Sequence, residues 1–270
     1  MENDRDFQFL LDKIKRNRNL DFKEYRTSVL ERRIQYRMHL AGCGSYWDYV
    51  MLLNRDPGEY DRLIETLTIK VSEFFRDPAV FDIIGSRIIP EIVAEKQNRG
   101  LKRIHAWSCG SAFGQEAYSM AILFCETLGR KLECFDIKIL ATDIDRSSLE
   151  KAKWASYGTD SLKKLMPHIL FKYFTRFQDN YIVNDTVRDL VSFRHHDLIL
   201  DGQDLRMDLV LCRNLLIYFE KALQEKAIRN LYNSMNAGGF LVIGKTETMP
   251  ANIIDLFHVV DLKERVYMKR

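Results

Sequence analysis

The stretch Arg103-Ile104-His105-Ala106-Trp107-Ser108-Cys109-Gly110-Ser111-Ala112-Phe113-Gly114-Gln115-Glu116 decides the fold class. Arg103–Trp107 is a short run of strand type, Ser108–Gly114 is a loop of mostly small residues, and a helical pattern follows from about Gln115 to Thr127. The same order returns twice. Ile137–Thr142 reads as a strand ending at Asp143, with a helix after it. Met207–Cys212 reads as a buried strand, followed by a helix over Lys221–Met235 and a strand over Phe240–Ile243 after Gly238-Gly239. Strands alternating with helices predict an α/β fold with a doubly wound parallel sheet.

The flanks differ from this core. Residues 1–76 read as helical throughout, and no strand-period segment interrupts them. Their apolar stripes are Phe7, Leu10, Leu11 and Ile14; Tyr25, Val29, Ile34, Met38 and Leu40; Tyr46, Tyr49, Val50 and Leu53; and Leu63, Ile64, Leu67 and Ile69. The expected organisation is therefore a helical N-terminal domain over 1–76 and a sheet domain over 77–270. A helix after Asp77-Pro78 carries Phe81, Ile84 and Ile88 past Pro90. Two segments look strand-like without a helix between them, Tyr181–Val183 and Leu190-Val191, so a small β insertion is expected at about 171–193. Phe257–Val260 and Arg265–Met268 fit a closing antiparallel pair.

Composition excludes several classes. With 46% hydrophobic and 29% charged residues, 13 Gly and 5 Pro, the 270-residue chain is neither disordered nor low in complexity. There is no run of about 18 apolar residues and no signal-peptide pattern at Met1–Asp6, so a cytoplasmic protein without direct membrane insertion is expected. Cys43, Cys109, Cys125, Cys134 and Cys212 are odd in number and form no Cys-x-x-Cys pair, which speaks for reduced thiols rather than a disulfide framework. The six histidines show no metal spacing. A net charge of +3 is too small to announce a nucleic-acid partner, and monomer is the default state.

In a doubly wound sheet, ligands sit at the carboxyl ends of the strands near the point where strand order reverses. The loop containing Gly110 and Gly114 is in that place, but its Gly-x-x-x-Gly spacing is not a phosphate-binding fingerprint. It serves either a ligand or the strand-to-helix turn alone. Asp143 ends the second strand, where a carboxylate can accept both hydroxyls of a ribose or else cap the next helix. Glu116 adds a second acid. Two acids without a phosphate motif suit a ligand that carries a ribose and a positive charge, as S-adenosylmethionine does.

Five segments then resemble one family. Ser72-Glu73-Phe74-Phe75-Arg76-Asp77, Trp107-Ser108 through Gly114-Gln115-Glu116-Ala117-Tyr118-Ser119, Ala141-Thr142-Asp143-Ile144-Asp145, Cys212-Arg213-Asn214-Leu215-Leu216-Ile217-Tyr218-Phe219 and Gly244-Lys245-Thr246-Glu247 are similar, in order, to the motifs of chemotaxis-receptor glutamate O-methyltransferases of the CheR type. The resemblance spans essentially the whole chain. It implies a helical receptor-facing domain followed by a Rossmann-like class I methyltransferase domain. S-adenosylmethionine would be the cofactor and S-adenosylhomocysteine the product. Ser72, Arg76, Glu116, Asp143, Asp197, Leu198, Asn214 and Leu215 would line the cofactor site, and Arg76 and Tyr218 would face the incoming glutamate. Gln115, Ala117, Lys70, Asp197 and Lys245 depart from the family pattern, and those at Gln115, Ala117 and Lys245 keep open a cofactor-binding regulatory or scaffold protein of the same fold.

The residue types suit the implied reaction. A glutamate side chain, with an ordinary pKa of about 4.3, is already ionised at neutral pH and needs no general base. The planar fork of Arg76 can orient it. Between Lys13 and Arg37 nine basic residues face three acidic ones, and Arg26, Arg33 and Arg37 fall along one helical face. That face is expected to dock the acidic helices of a receptor's cytoplasmic domain. Asn214–Tyr218 lacks the paired prolines of amino-methylating nucleic-acid enzymes, so no nucleic-acid partner is expected. The loop Arg176–Asn180 is short and has no glycine, which points to an enzyme independent of a receptor tail pentapeptide.

Overall fold

A computed structural model describes residues 2–68, 72–201 and 205–270. Lys70, where the family pattern has another residue, lies outside the described residues. The chain divides into two compact units, Met1–Ile69 with Tyr218–Gln224 and Lys70–Ile217 with Glu225–Arg270. Both differ from the expected boundary: Ser72–Arg76 belongs to the second unit, and Tyr218–Gln224 belongs to the first.

The first unit holds α1 (Glu2–Arg18), α2 (Thr27–Leu40), α3 (Tyr46–Arg55) and α4 (Gly58–Leu67). Each exists because one stripe of its surface is apolar. Phe7, Leu10, Leu11 and Ile14 of α1, Leu30, Ile34 and Met38 of α2, Tyr49, Val50 and Leu53 of α3, and Leu63 and Leu67 of α4 are all buried. Ser45 starts α3 with a capping box: its hydroxyl accepts the Asp48 N–H, and the Asp48 carboxylate accepts the Ser45 N–H. Tyr218–Gln224 joins these helices through backbone bonds. The Arg26 N–H donates to the Tyr218 carbonyl at 2.9 Å, and the Glu220 N–H donates to that of Glu24 at 3.0 Å.

One polar cluster sits inside this unit. Glu59 is 1% exposed. Its carboxylate accepts from Arg37 Nε and Nη2 at 2.6 and 2.8 Å, from Arg62 Nε at 2.7 Å and from the Tyr49 hydroxyl at 2.8 Å. Burial opposes its charge, but the bonds from Arg37, Arg62 and Tyr49 outweigh burial and bring its pKa to about 2 from an ordinary 4.5.

The second unit opens with α5 (Pro78–Ile83), a π turn over Ile84–Ile88 and α6 (Ile89–Asn98). Pro90 has no N–H to give to the preceding turn, and the π turn takes up the mismatch, with the Ile89 N–H reaching the Ile84 carbonyl. Then come β1 (Arg103–Cys109), α7 (Gln115–Leu128), β2 (Asp136–Asp143), α8 (Arg146–Trp154), β3 (Ser156–Gly158), α9 (Thr159–Leu162), α10 (Pro167–Tyr173), β4 (Phe174–Phe177), β5 (Asn180–Val183), α11 (Asp185–Arg188), β6 (Val191–His195), β7 (Met207–Cys212), α12 (Lys221–Asn233), β8 (Met235–Ile243), β9 (Phe257–Asp261) and β10 (Val266–Lys269).

Seven strands form one sheet in the order β6-β2-β1-β7-β8-β10-β9. The first five run parallel, and β10 is antiparallel to both of its neighbours. This is the Rossmann-like arrangement of class I methyltransferases. All six residues of β7 are buried, as a central parallel strand requires. Strand order reverses between β1 and β7, so the carboxyl ends at Cys109, Asp143 and Cys212 gather at the switch point.

The β insertion is shifted from the expected bounds: β4 and β5 lie within 171–193, but the third strand precedes them and Leu190-Val191 is not part of it. Its three antiparallel strands are β3, β5 and β4, so it begins at Ser156 and ends at Val183. Val191–His195 instead pairs in parallel with Ile139–Asp143 as the edge of the main sheet. An edge strand buries only alternate side chains, here Val191, Phe193 and His195 in part, and in sequence that pattern is the same as a hairpin strand's. The short helix α11 also separates β5 from β6.

Removing the carboxylate of Glu59 leaves two guanidinium groups without their partner. Glu59→Gln is expected to destabilise the chain by about 3–5 kcal/mol, measured by urea unfolding at neutral pH. Because the folded-state pKa is depressed, this stability is present above about 4.5 and is lost as pH falls towards 2. The variant should therefore show a flatter stability profile than the wild type across that window.

Candidate functional site at the carboxyl ends of the strands

The loop after β1 is built against the end of β2. The N–H groups of Gly110 and Ser111 both donate to the Thr142 carbonyl, at 2.8 and 2.9 Å, and the Trp107 indole donates to the Thr142 hydroxyl at 2.9 Å. Gly114 precedes α7 at φ +86°, and a Cβ there would lie 3.0 Å from the Phe193 ring and 3.1 Å from Ala152. Glycine is required at that position by space as well as by backbone conformation.

Asp143 stands where β2 stops. One carboxylate oxygen accepts the Ala112 N–H at 2.9 Å and the other accepts the Asp145 N–H at 2.9 Å. Burial raises its pKa, and the backbone donors of Asp145 and Ala112 pull it back. The following helix α8 is capped by Asp145, whose carboxylate accepts the Ser147 N–H, so Asp143 is not its cap. Lone pairs on Asp143 remain beyond those bonds, and the side chain is only half-buried. Ser111 Oγ and Gln115 Oε1 are buried without a hydrogen-bond partner. Such a set of acceptors fits a ligand that donates from hydroxyl and amine groups.

Glu116, the second acid of the sequence reading, is engaged by the protein's own groups. Its carboxylate accepts from the Ser108 hydroxyl at 2.8 Å and meets Arg213 Nη1 at 3.5 Å. The Arg213 side chain is 1% exposed, and its Nη2 reaches the Asp77 carboxylate at 2.5 Å. Burial drives the Glu116 pKa up, while Arg213 acts against it, with a further contribution from Arg76. The positive charge that answers Glu116 is thus built into the protein.

Arg213 also organises the segment Ser72–Asp77. Asp77 begins α5 in a left-handed conformation at φ +58°, fixed by this ion pair. Two residues earlier, the Phe75 N–H donates to the Ser119 hydroxyl at 2.9 Å. Phe74 is buried with its ring edge-on to Tyr157 and Phe174, at 4.8 and 5.3 Å between centroids. Arg76 and Ser72 are half-buried beside these anchors. Arg76 further lines a cavity of about 470 Å³ together with Phe75, Phe81, Ile122, Leu165 and Ile169.

The other expected cofactor residues reach the same end of the sheet. Leu215 packs on Gly110, where a Cβ would lie 3.3 Å from its side chain, and Asn214 turns the loop at φ +60°. The His196 N–H donates to the Asp143 carbonyl at 3.1 Å, and Asp197 and Leu198 follow directly. The carboxylate of Asp197 is engaged in a tight turn, accepting the N–H groups of Ile199 and Leu200 at 2.8 and 3.2 Å. Leu198 is buried.

Tyr218, Arg26, Arg33 and Arg37 lie in the first unit. The three arginines do not form one free face. Arg26 is exposed, Arg33 donates to the Thr66 carbonyl at 2.6 Å, and Arg37 is turned inward onto Glu59. Helical spacing alone placed them together; the buried Glu59 on α4 separates them.

The comparisons with known proteins bear on both units. Residues 70–266 match the family model described as the CheR methyltransferase, SAM binding domain, and residues 5–68 match the CheR methyltransferase, all-alpha domain. The chain belongs to the CheR methyltransferase family. An uncharacterised 104.1 kDa protein of Rhodobacter capsulatus is 32% identical over 248 residues, covering 92% of this chain and 26% of that protein. The chain thus spans about a quarter of the length of that relative. A chemotaxis protein methyltransferase 2 of Vibrio cholerae is 30% identical over 262 residues, covering 95% of this chain and 89% of that one. A chemotaxis protein methyltransferase of Vibrio parahaemolyticus is 33% identical over 202 residues, covering 73% and 71%.

The second unit is therefore an S-adenosylmethionine-binding domain, and the residues at its strand ends are compatible with that ligand. Arg213 and Ser119 were not singled out from the sequence. The available signal was an arginine directly after a strand buried at every position, which demands a buried acid. Arg213→Met removes the partner of both Asp77 and Glu116. It should cost about 3–5 kcal/mol in urea unfolding, and adding Glu116→Gln to it should recover part of that loss.

Proposed function

We propose that the chain transfers the methyl group of S-adenosylmethionine to glutamate side chains on the cytoplasmic helices of methyl-accepting chemotaxis receptors. The observation that carries this reading is the half-buried Asp143 carboxylate, held by backbone N–H groups beside the glycine loop in a chain of the CheR family. Asp143 accepts the two ribose hydroxyls in this reading. Ser72, Gly110, Glu116, Asp197, Leu198, Asn214 and Leu215 complete the enclosure, with Glu116 neutralised by Arg213.

Bound there, S-adenosylmethionine supplies an electrophilic methyl group on a positively charged sulfur. The chain's own work is then binding, alignment and exclusion of water. No side chain has to remove a proton, because the incoming carboxylate is ionised. Arg76 orients that carboxylate through its fork. Arg76 must not bind too tightly, since a strong ion pair would blunt the attacking oxygen.

Receptor docking falls to the basic segment of the first unit, led by the exposed Arg26 with Arg33. Arg37 contributes through the interior pair that keeps α2 against α4. In this reading the chain acts as a monomer, and the tight two-residue β4–β5 turn at Gln178-Asp179 supports independence of a tail pentapeptide.

Methyl transfer is tested with labelled cofactor and receptor cytoplasmic fragments. Alkali-labile label on glutamate is expected, and cofactor binding without transfer would support a regulatory protein instead. Asp143→Ala should raise the dissociation constant for S-adenosylhomocysteine by roughly 10- to 150-fold, the equivalent of about 1.5–3 kcal/mol for a charged hydrogen-bond acceptor. Arg76→Ala should lower turnover at saturating cofactor by about 100-fold while changing that constant little. Arg26→Glu should raise KM for receptor with cofactor affinity unchanged, an effect that added salt reproduces in the wild type.

A further inference from the structure

Glu247 is a carboxylate that the proposed reaction does not use. It is 3% exposed, and among the described residues no basic side chain pairs with it. Its partners are peptide groups. Oε2 accepts the Gly244 N–H at 2.5 Å and the Asn214 N–H at 3.2 Å, and Oε1 accepts the Ile217 N–H at 3.3 Å, with the Leu216 N–H contributing. Burial raises its pKa, and these backbone donors pull it back only in part. A buried charge held only by backbone dipoles is expensive to keep unless it does something for the backbone it holds.

What it holds is the turn leaving β7. Asn214 has a left-handed backbone at φ +60°, uncommon for a residue other than glycine, and the bond from its N–H to Glu247 fixes it there. Leu215, the next residue, packs on Gly110 of the loop after β1. Gly244 has no room for a side chain: a Cβ would lie 2.6 Å from Glu247 Oε2 and 2.9 Å from the Asn214 nitrogen. The end of β8 is thus shaped to deliver one carboxylate to four N–H groups.

We propose that Glu247 is a positioning residue for cofactor binding, whose ionised carboxylate sets the Asn214–Ile217 turn and, through Leu215 on Gly110, the loop that closes on the ligand. This rests on the reading of the strand ends as the S-adenosylmethionine site. Glu247→Gln keeps the volume but turns an amide NH₂ towards N–H groups, so half of the clamp becomes repulsive. Glu247→Asp is too short to span both sets of donors and does not rescue. Gly244→Ala leaves the charge in place and pushes it off its partners.

The test uses the whole chain and three readouts. Amide hydrogen exchange of the ligand-free protein should accelerate at 214–217 by about 10-fold or more in Glu247→Gln and Gly244→Ala. Calorimetry with S-adenosylhomocysteine should show a dissociation constant raised by about 10-fold or more in both variants. KM for S-adenosylmethionine should rise likewise, with turnover at saturating cofactor kept within about 3-fold. Faster exchange with unchanged affinity, or weaker affinity with unchanged exchange at 214–217, overturns the proposal. Wild-type protein that binds no S-adenosylhomocysteine overturns the underlying cofactor reading, and is recognised because the wild type, not only the variants, then fails.

Discussion

The carboxyl ends of β1, β2 and β7 release three loops into a small space, and each loop is tied by a carboxylate that is buried or half-buried. Asp143 holds the glycine loop by the Ala112 N–H, Glu116 is fastened to Ser108 and Arg213, and Glu247 holds the turn at Asn214–Ile217. Burying a carboxylate is unfavourable by several kcal/mol unless its lone pairs are met. Here backbone N–H groups, the Ser108 hydroxyl and one arginine meet them. That requirement accounts for much of the local geometry, including the left-handed residues Asp77 and Asn214 and the lack of room for a side chain at Gly244. A site stiffened in this way does not have to be ordered again when a ligand arrives.

The sheet domain was legible because short strand-type runs alternate with segments of helical period. Met207–Cys212 could be read as central with no other information, and Asp143 marked the end of its strand. The β insertion was misplaced for a physical reason: the half-buried edge strand β6 carries the same alternation as a hairpin. The ion pairs were less legible still. Arg213 joins residues 77 and 116, and no local pattern announces partners that distant in the chain. Glu247 was visible as part of a motif, but its role depends on backbone N–H groups, which every residue but proline has and no sequence displays.

The helical unit teaches the complementary lesson. Arg26, Arg33 and Arg37 share a face by spacing, yet they differ in fate because α4 brings Glu59 under Arg37. A charge run in sequence counts residues; burial decides which of them still act on solvent. The excess of nine basic over three acidic residues between 13 and 37 is therefore partly internal.

The account turns on Asp143 and the switch point as the seat of the cofactor. A crystal structure of the full chain with S-adenosylhomocysteine tests that most directly. Both ribose hydroxyls should lie about 2.5–3.0 Å from the Asp143 carboxylate oxygens, with the adenosine enclosed between Gly110 and Leu215 on one side and Leu198 on the other. A ligand seated instead in the cavity lined by Arg76, Phe81, Ile122 and Ile169, with Asp143 untouched, would contradict it.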